Sequence, residues 1–181
     1  SPYSFYQFWL STADADVYRF LRYFTFLPVA DIAEIERADA EREGRPEAQR
    51  ILAREVTRLV HGEAGLGAAE RITDALFSGD PSALSEADLA RLAQDGLPAD
   101  QLVRGDLPPT FTQLLAQIGL ASGKQIKDAL SREAVLVNGQ PVAGGPTIEC
   151  AEALPAERAL HGRFFLIRFG KKKYHLLIDD R

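Results

Sequence analysis

Apolar positions follow a helical period through the first hundred residues and a strand period near the end of the chain. Val17, Phe20, Leu21 and Phe24 fall at i, i+3, i+4 and i+7, one stripe of a helix. Ser1-Pro2 fits an earlier helix start, and Pro28 ends one helix or begins the next. Residues 30–43 are rich in alanine and charge and poor in large apolar groups, which predicts an exposed helix closed by Gly44. Over 46–61, Leu52, Val56, Leu59 and Val60 make a buried stripe, with Gly62 where a C-terminal glycine belongs. Ala69, Ile72 and Leu76 mark another helix, broken by Ser78-Gly79-Asp80-Pro81. Ser85 with Asp88 reads as a capping box for a helix reaching Asp95 and stopped by Gly96.

Arg104-Gly105-Asp106-Leu107-Pro108-Pro109 has the composition of a linker. Beyond it, Phe111, Leu114, Leu115 and Ile118 predict a short helix ended by Gly119, and Ser122 caps a second over 123–131. Then the period changes to two. Val135-Leu136-Val137, Asn138-Gly139 and Gln140-Pro141-Val142 read as strand, type I′ turn and strand. Residues 164–168 and 174–178 predict two more strands around Gly170-Lys171-Lys172-Lys173. The fold class is α+β: an all-α domain over 1–104, a linker at 105–110, and a small α+β domain over 111–181.

Composition sharpens that division. Of the 181 residues, 46% are hydrophobic, enough for a core. The longest apolar runs are too short for a membrane span, and no basic-then-apolar leader is present. Ten of the sixteen aromatic residues lie in the first 26 positions, a density that needs something to pack against. The net charge of −5 hides an asymmetry. Residues 1–110 carry 11 arginines, no lysine and 19 acids, whereas residues 111–181 carry 10 bases against 7 acids and hold all five lysines. Arg158, Arg163, Arg168, Lys171, Lys172 and Lys173 occur without an acid between 158 and 178, so this stretch is the candidate for contact with a polyanion.

Catalytic chemistry is poorly represented. Cys150 is the single cysteine, which fits a reducing compartment, and His61, His161 and His175 show no metal-ligand spacing. Asp14 and Asp16 precede a helix, where acids stabilise the N-terminus. His61 suits a helix C-terminus, and His161 and His175 read as framework residues. There is no phosphate-cradling glycine loop and no nucleophile with a base partner. The expectation is no catalytic residue, no metal and no cofactor in this chain.

The order helix, glycine, Ser-capped helix and Val-Asn-Gly hairpin resembles the S4-type RNA-binding domain. The opening Ser1-Pro2-Tyr3-Ser4-Phe5-Tyr6-Gln7-Phe8-Trp9-Leu10, the run from Thr12 to Leu27, and Val56-Thr57-Arg58-Leu59-Val60-His61-Gly62-Glu63 are similar to bacterial tyrosyl-tRNA synthetases. So are the stretch from Leu76 to Leu89 and the segment from Gly162 to His175. The resemblance implies a helical anticodon-binding domain joined to an S4-like domain, with residues 1–12 at the seam to a catalytic domain lying upstream of Ser1. It implies tRNA(Tyr) as partner through the anticodon region and long variable arm, a cytoplasmic location, and an ATP-dependent ligase as parent. The family's dimer contacts belong to the catalytic domain, so this piece is expected to be a monomer without activity of its own.

The RNA-binding residues expected on this basis are Lys124, Lys127, Arg132, Arg163, Arg168, Lys171, Lys172 and Lys173. The family's S4 helix is richer in arginine than Ser122-Gly123-Lys124-Gln125-Ile126-Lys127-Asp128, and a common Arg-Arg-Gly-Lys stands here as Arg168-Phe169-Gly170-Lys171. Two rival readings stay open at this point. One is a free-standing S4-type RNA-binding protein with a helical extension; the other is a helical protein-interaction module whose lysine turn is a solvated hairpin tip.

Overall fold

The computed structural model describes residues 1–179 and divides into two compact units, Ser1–Thr73 and Asp74 onward. The first unit is helical: α1 (Pro2–Leu10), α2 (Asp14–Phe24), α3 (Val29–Glu41) and most of α4 (Ala48–Ser78). Ser1 caps α1 by accepting from the Ser4 amide, and Pro2 fills the first helical position. The two helices expected over 46–61 and around 69–76 both form within the span α4 and are separated by a kink at Gly62, whose backbone is not helical. There φ is +69°, a left-handed value that a residue with a Cβ adopts only under strain. Val17, Leu21, Ile32, Ala48, Leu52 and Val56 form one buried cluster, and Tyr6, Ala53, Leu66 and Ala69 a second.

The aromatic opening splits between core and surface. Phe5, Trp9 and Phe20 pack against the first cluster through edge-to-face contacts with one another and with Phe24, and Phe5 also meets the His61 ring at 5.0 Å. Phe8, Tyr23, Phe24, Phe26, Val29, Leu59 and Val60 remain exposed. Phe24, Phe26 and Leu59 line an open groove of about 300 Å³.

Asp39 fastens this unit. Its buried carboxylate accepts the Glu47 and Ala48 amides at 2.8 and 3.1 Å, capping the start of α4 from the end of α3, and also accepts the Tyr18 hydroxyl at 3.0 Å. Burial, then Asp39, pushes the Tyr18 hydroxyl up to about 12. A raised folded-state value means that this contact stabilises fully below pH 10 and is lost as the pH climbs towards 12. Asp39→Ala strands two amides and a hydroxyl. It is expected to cost roughly 2 kcal/mol, read from urea unfolding followed by the emission of Trp9, the single tryptophan.

The second unit contains α5 (Glu86–Arg91), β1 (Ala99–Gln101), α6 (Phe111–Gln117), α7 (Gly123–Ser131), β2 (Val135–Val137), β3 (Gln140–Pro141), α8 (Cys150–Ala153), β4 (Phe164–Phe169) and β5 (Lys173–Ile178). Its five strands are ordered β1-β5-β4-β2-β3, with β1 parallel to β5 and the other pairings antiparallel. The expected hairpin forms at Asn138-Gly139, where both residues have positive φ, 51° and 81°.

Phe165, Ile167 and Leu177 share one face with Val135 and Val137 of β2 and pack onto Phe111, Leu115, Ile126 and Leu130. Phe164, Leu166 and Leu176 alternate to the other face and are also buried. That second face is met by residues from 74 onward: Tyr174 donates its hydroxyl to the Leu76 carbonyl and the His161 ring pairs with the Leu84 carbonyl, while the Leu176 amide bonds the Pro98 carbonyl at the sheet edge. A sheet apolar on both faces needs both covered, so the compact division falls at Thr73/Asp74 rather than at 105–110. The segment expected to be a linker is held inside the unit: Leu107 packs on its core, and Arg104 reaches Asp179 and the Leu154 carbonyl.

Candidate nucleic-acid interface

The basic surface is built on α7. Ser122 accepts the Gln125 amide while the Gln125 side chain accepts the Ser122 amide and hydroxyl, a complete capping box. This fixes the helix phase. Ile126, Ala129 and Leu130 turn into the core, while Lys124, Lys127, Asp128 and Ser131 turn out to solvent. Asp128 spends its charge on Arg132, one turn away at 2.6 Å, where both side chains are well exposed. Such a pair is worth only about 0.3–0.5 kcal/mol and yields readily to a phosphate.

The β4–β5 turn is fastened to both ends of this helix. The Gly170 amide bonds the Ala134 carbonyl just past the C-terminal end of α7, and the Lys173 ammonium donates to the Leu120 carbonyl just before its cap. Lys171 and Lys172 project from the turn, exposed. Lys124, Lys127, Arg132 and Lys171 to Lys173 therefore belong to one continuous side of the unit, around α7 and the turn tied to it.

The two remaining expected residues lie elsewhere. Arg168 pairs across the sheet with Leu136 and Tyr174, so alternation sends its side chain to the face opposite α7. Its guanidinium lies against Gly79, and its Nε finds no hydrogen-bond partner among the described residues. Arg163 precedes β4 at the far end of the strand, roughly 22–24 Å from the lysine turn by strand rise. It pairs with Glu86 at 3.4 Å and lies over the Phe164 ring at 5.3 Å.

The histidines and N-terminal aspartates singled out in the sequence have structural partners. His161 and His175 bond the Leu84 carbonyl and Asp100, Asp14 accepts from Gln49, and Asp16 pairs with Arg19. Cys150 is packed into the core, and burial pushes its thiol up to about 11. At pH 8 it is expected to resist iodoacetamide in the native protein and to react only in urea, as read by intact mass; ready native labelling would contradict its buried placement. Among the described residues no group of three His, Cys, Asp or Glu could hold a metal ion, and no helix is long and apolar enough to cross a membrane.

Comparison with known proteins gives a consistent picture. The family described as "tRNA synthetases class I (W and Y)" matches residues 1–78. The tyrosine–tRNA ligase of Aliivibrio fischeri is 54% identical over 98% of this chain and 40% of its own length. That of Neisseria meningitidis is 45% identical over 98% of this chain and 42% of its own length. Among solved structures, a C-terminally truncated mitochondrial tyrosyl-tRNA synthetase of Aspergillus nidulans matches 42% of this chain and 23% of its own, at 36% identity and a TM-score of 0.40. The chain thus spans about two fifths of the length of the curated relatives it matches.

Proposed function

Along nearly its whole length the chain is a homologue of the bacterial tyrosine–tRNA ligases, and on that premise we propose that it is the part of such an enzyme that grips tRNA(Tyr). Its work is positioning. The two units hold the tRNA body through its anticodon region and long variable arm, so that the acceptor end reaches a catalytic domain elsewhere in the ligase, where ATP is used to activate tyrosine. Orientation of this kind lowers the barrier without chemistry in the piece that supplies it.

The observation that carries the reading is the joining of α7 to the lysine turn, which gathers Lys124, Lys127, Arg132 and Lys171 to Lys173 along one side of an S4-like unit. Cations on this side meet phosphates and set the register of the RNA, with no base discrimination of their own. In the ligase the exposed Phe8, Tyr23, Phe24 and Phe26 of the first unit pack against the catalytic domain. The piece by itself is a monomer, and a stable dimer in light scattering would overturn that. The deciding experiment is a titration of the chain with tRNA(Tyr) and with the same tRNA carrying a shortened variable arm. Weaker binding of the shortened form is expected; equal affinity would sink the variable-arm assignment.

A further inference from the structure

We propose that Phe77 is a stacking platform for an unpaired base of the bound RNA, with Arg168 and the lysine turn holding the phosphates beside that base. The proposal rests on the RNA-binding reading and adds to it a ligand feature that charge alone does not select. Phe77 is 92% exposed, while its neighbours Ala75 and Leu76 on the same helical turn are buried. A lone exposed phenylalanine needs no explanation in itself. What distinguishes this one is its surroundings.

Tyr174 directly follows Lys173, and its hydroxyl holds the Leu76 carbonyl, the residue immediately before Phe77. Two residues beyond Phe77, a Cβ placed on Gly79 would lie 2.4 Å from Nη1 of Arg168, so the guanidinium packs directly against the backbone of this turn. Arg168 Nε is buried there without a hydrogen-bond partner among the described residues, so phosphate contact falls to the terminal nitrogens of the guanidinium. An aromatic ring open to solvent, a guanidinium against Gly79 two residues along the chain and a strand that leads from Leu76 back to the lysine turn are the parts of a single-strand site: the ring takes a base face and the cations track the backbone. Arg168, on the sheet face opposite α7, thereby acquires a role that the α7 surface cannot give it.

The test uses the whole chain with Phe77→Ala, and Phe77→Trp in a Trp9→Phe background, titrated at several salt concentrations with a short single-stranded RNA and a blunt RNA duplex. Phe77→Ala is expected to weaken single-strand binding by about 5- to 100-fold, with the salt slope, the duplex affinity and the melting temperature unchanged. The tryptophan variant is expected to keep its affinity, and its emission to be quenched as the single strand binds. Wild-type single-strand affinity in Phe77→Ala, or equal losses on strand and duplex, would overturn the stacking role; so would an altered melting temperature without a binding change, which would mark Phe77 as a protein contact. The Lys171→Ala/Lys172→Ala chain tests the underlying reading separately, because an unchanged salt slope there refutes phosphate contact whatever Phe77 does.

Discussion

Arg104→Met is expected to destabilise the second unit by about 3 kcal/mol, which at an ordinary urea m-value lowers the unfolding midpoint by about 1.5–2 M. The carboxylate of Asp179 is almost fully buried and accepts Arg104 Nε and Nη2 at 3.0 and 2.7 Å. Arg104 Nη1 adds a 2.7 Å bond to the Leu154 carbonyl, and the guanidinium lies 5.5 Å from the centre of the Phe165 ring. Methionine replaces the stem but takes the guanidinium away from a buried carboxylate, and removing one partner of such a pair costs far more than removing both. Arg104 is itself about a third exposed, so water partly relieves the stranded charge, which places the estimate at the low end of the usual 3–5 kcal/mol. The double variant Arg104→Met/Asp179→Leu is expected to recover part of the loss. Trp9 reports the first unit, so the shift should be larger in circular dichroism than in tryptophan emission. A midpoint change below about 0.5 M would show that the pair contributes little.

The same contact explains what was hard to read from the sequence. Pro and Gly around 104–109 signal a linker because composition registers local freedom, whereas Arg104 is held by a residue 75 positions away. β1 is harder still: three residues with no apolar alternation, paired in parallel with β5 and tied by the bond of Asp100 to His175. Local codes were legible. The Ser85/Asp88 box, the Ser122 cap and the Asn138-Gly139 turn each reside in two to four adjacent residues, and each forms as expected. The unbroken apolar run Phe164-Phe165-Leu166-Ile167 did carry a long-range message, a strand buried on both faces, which two helices on one side could not cover.

For the candidate interface, residue type was legible and grouping was not. Lys124 and Lys127 share a side by helical spacing alone. Whether the lysine turn joins them depends on the register of Phe169 with Lys173 and on two bonds to the carbonyls flanking α7. A shift of one residue along β4 decides that Arg168 faces away from α7. Phe77 carries no local signal at all, because it sits in a helix whose neighbours are buried and its basic surroundings come from residues some ninety positions later.

Lys171→Ala/Lys172→Ala is expected to produce the largest change in the salt dependence of RNA binding. Six cations on the α7 side, each releasing counterions from the RNA backbone, give a log–log salt slope of about 4–5, and removing two lowers it by about 1.4–1.8. Because each contact contributes in proportion to the logarithm of salt concentration, the same change weakens tRNA(Tyr) binding roughly 30–60-fold at 0.1 M salt and progressively less as salt rises. Lys171→Arg/Lys172→Arg keeps the charge and is expected to keep the slope. Arg163→Ala serves as the comparison, since Arg163 is paired with Glu86 at the other end of β4 and should leave the slope untouched. If the double alanine variant weakens binding equally at every salt concentration, the lysines act by shaping the turn. Only a loss that shrinks with salt identifies them as phosphate contacts.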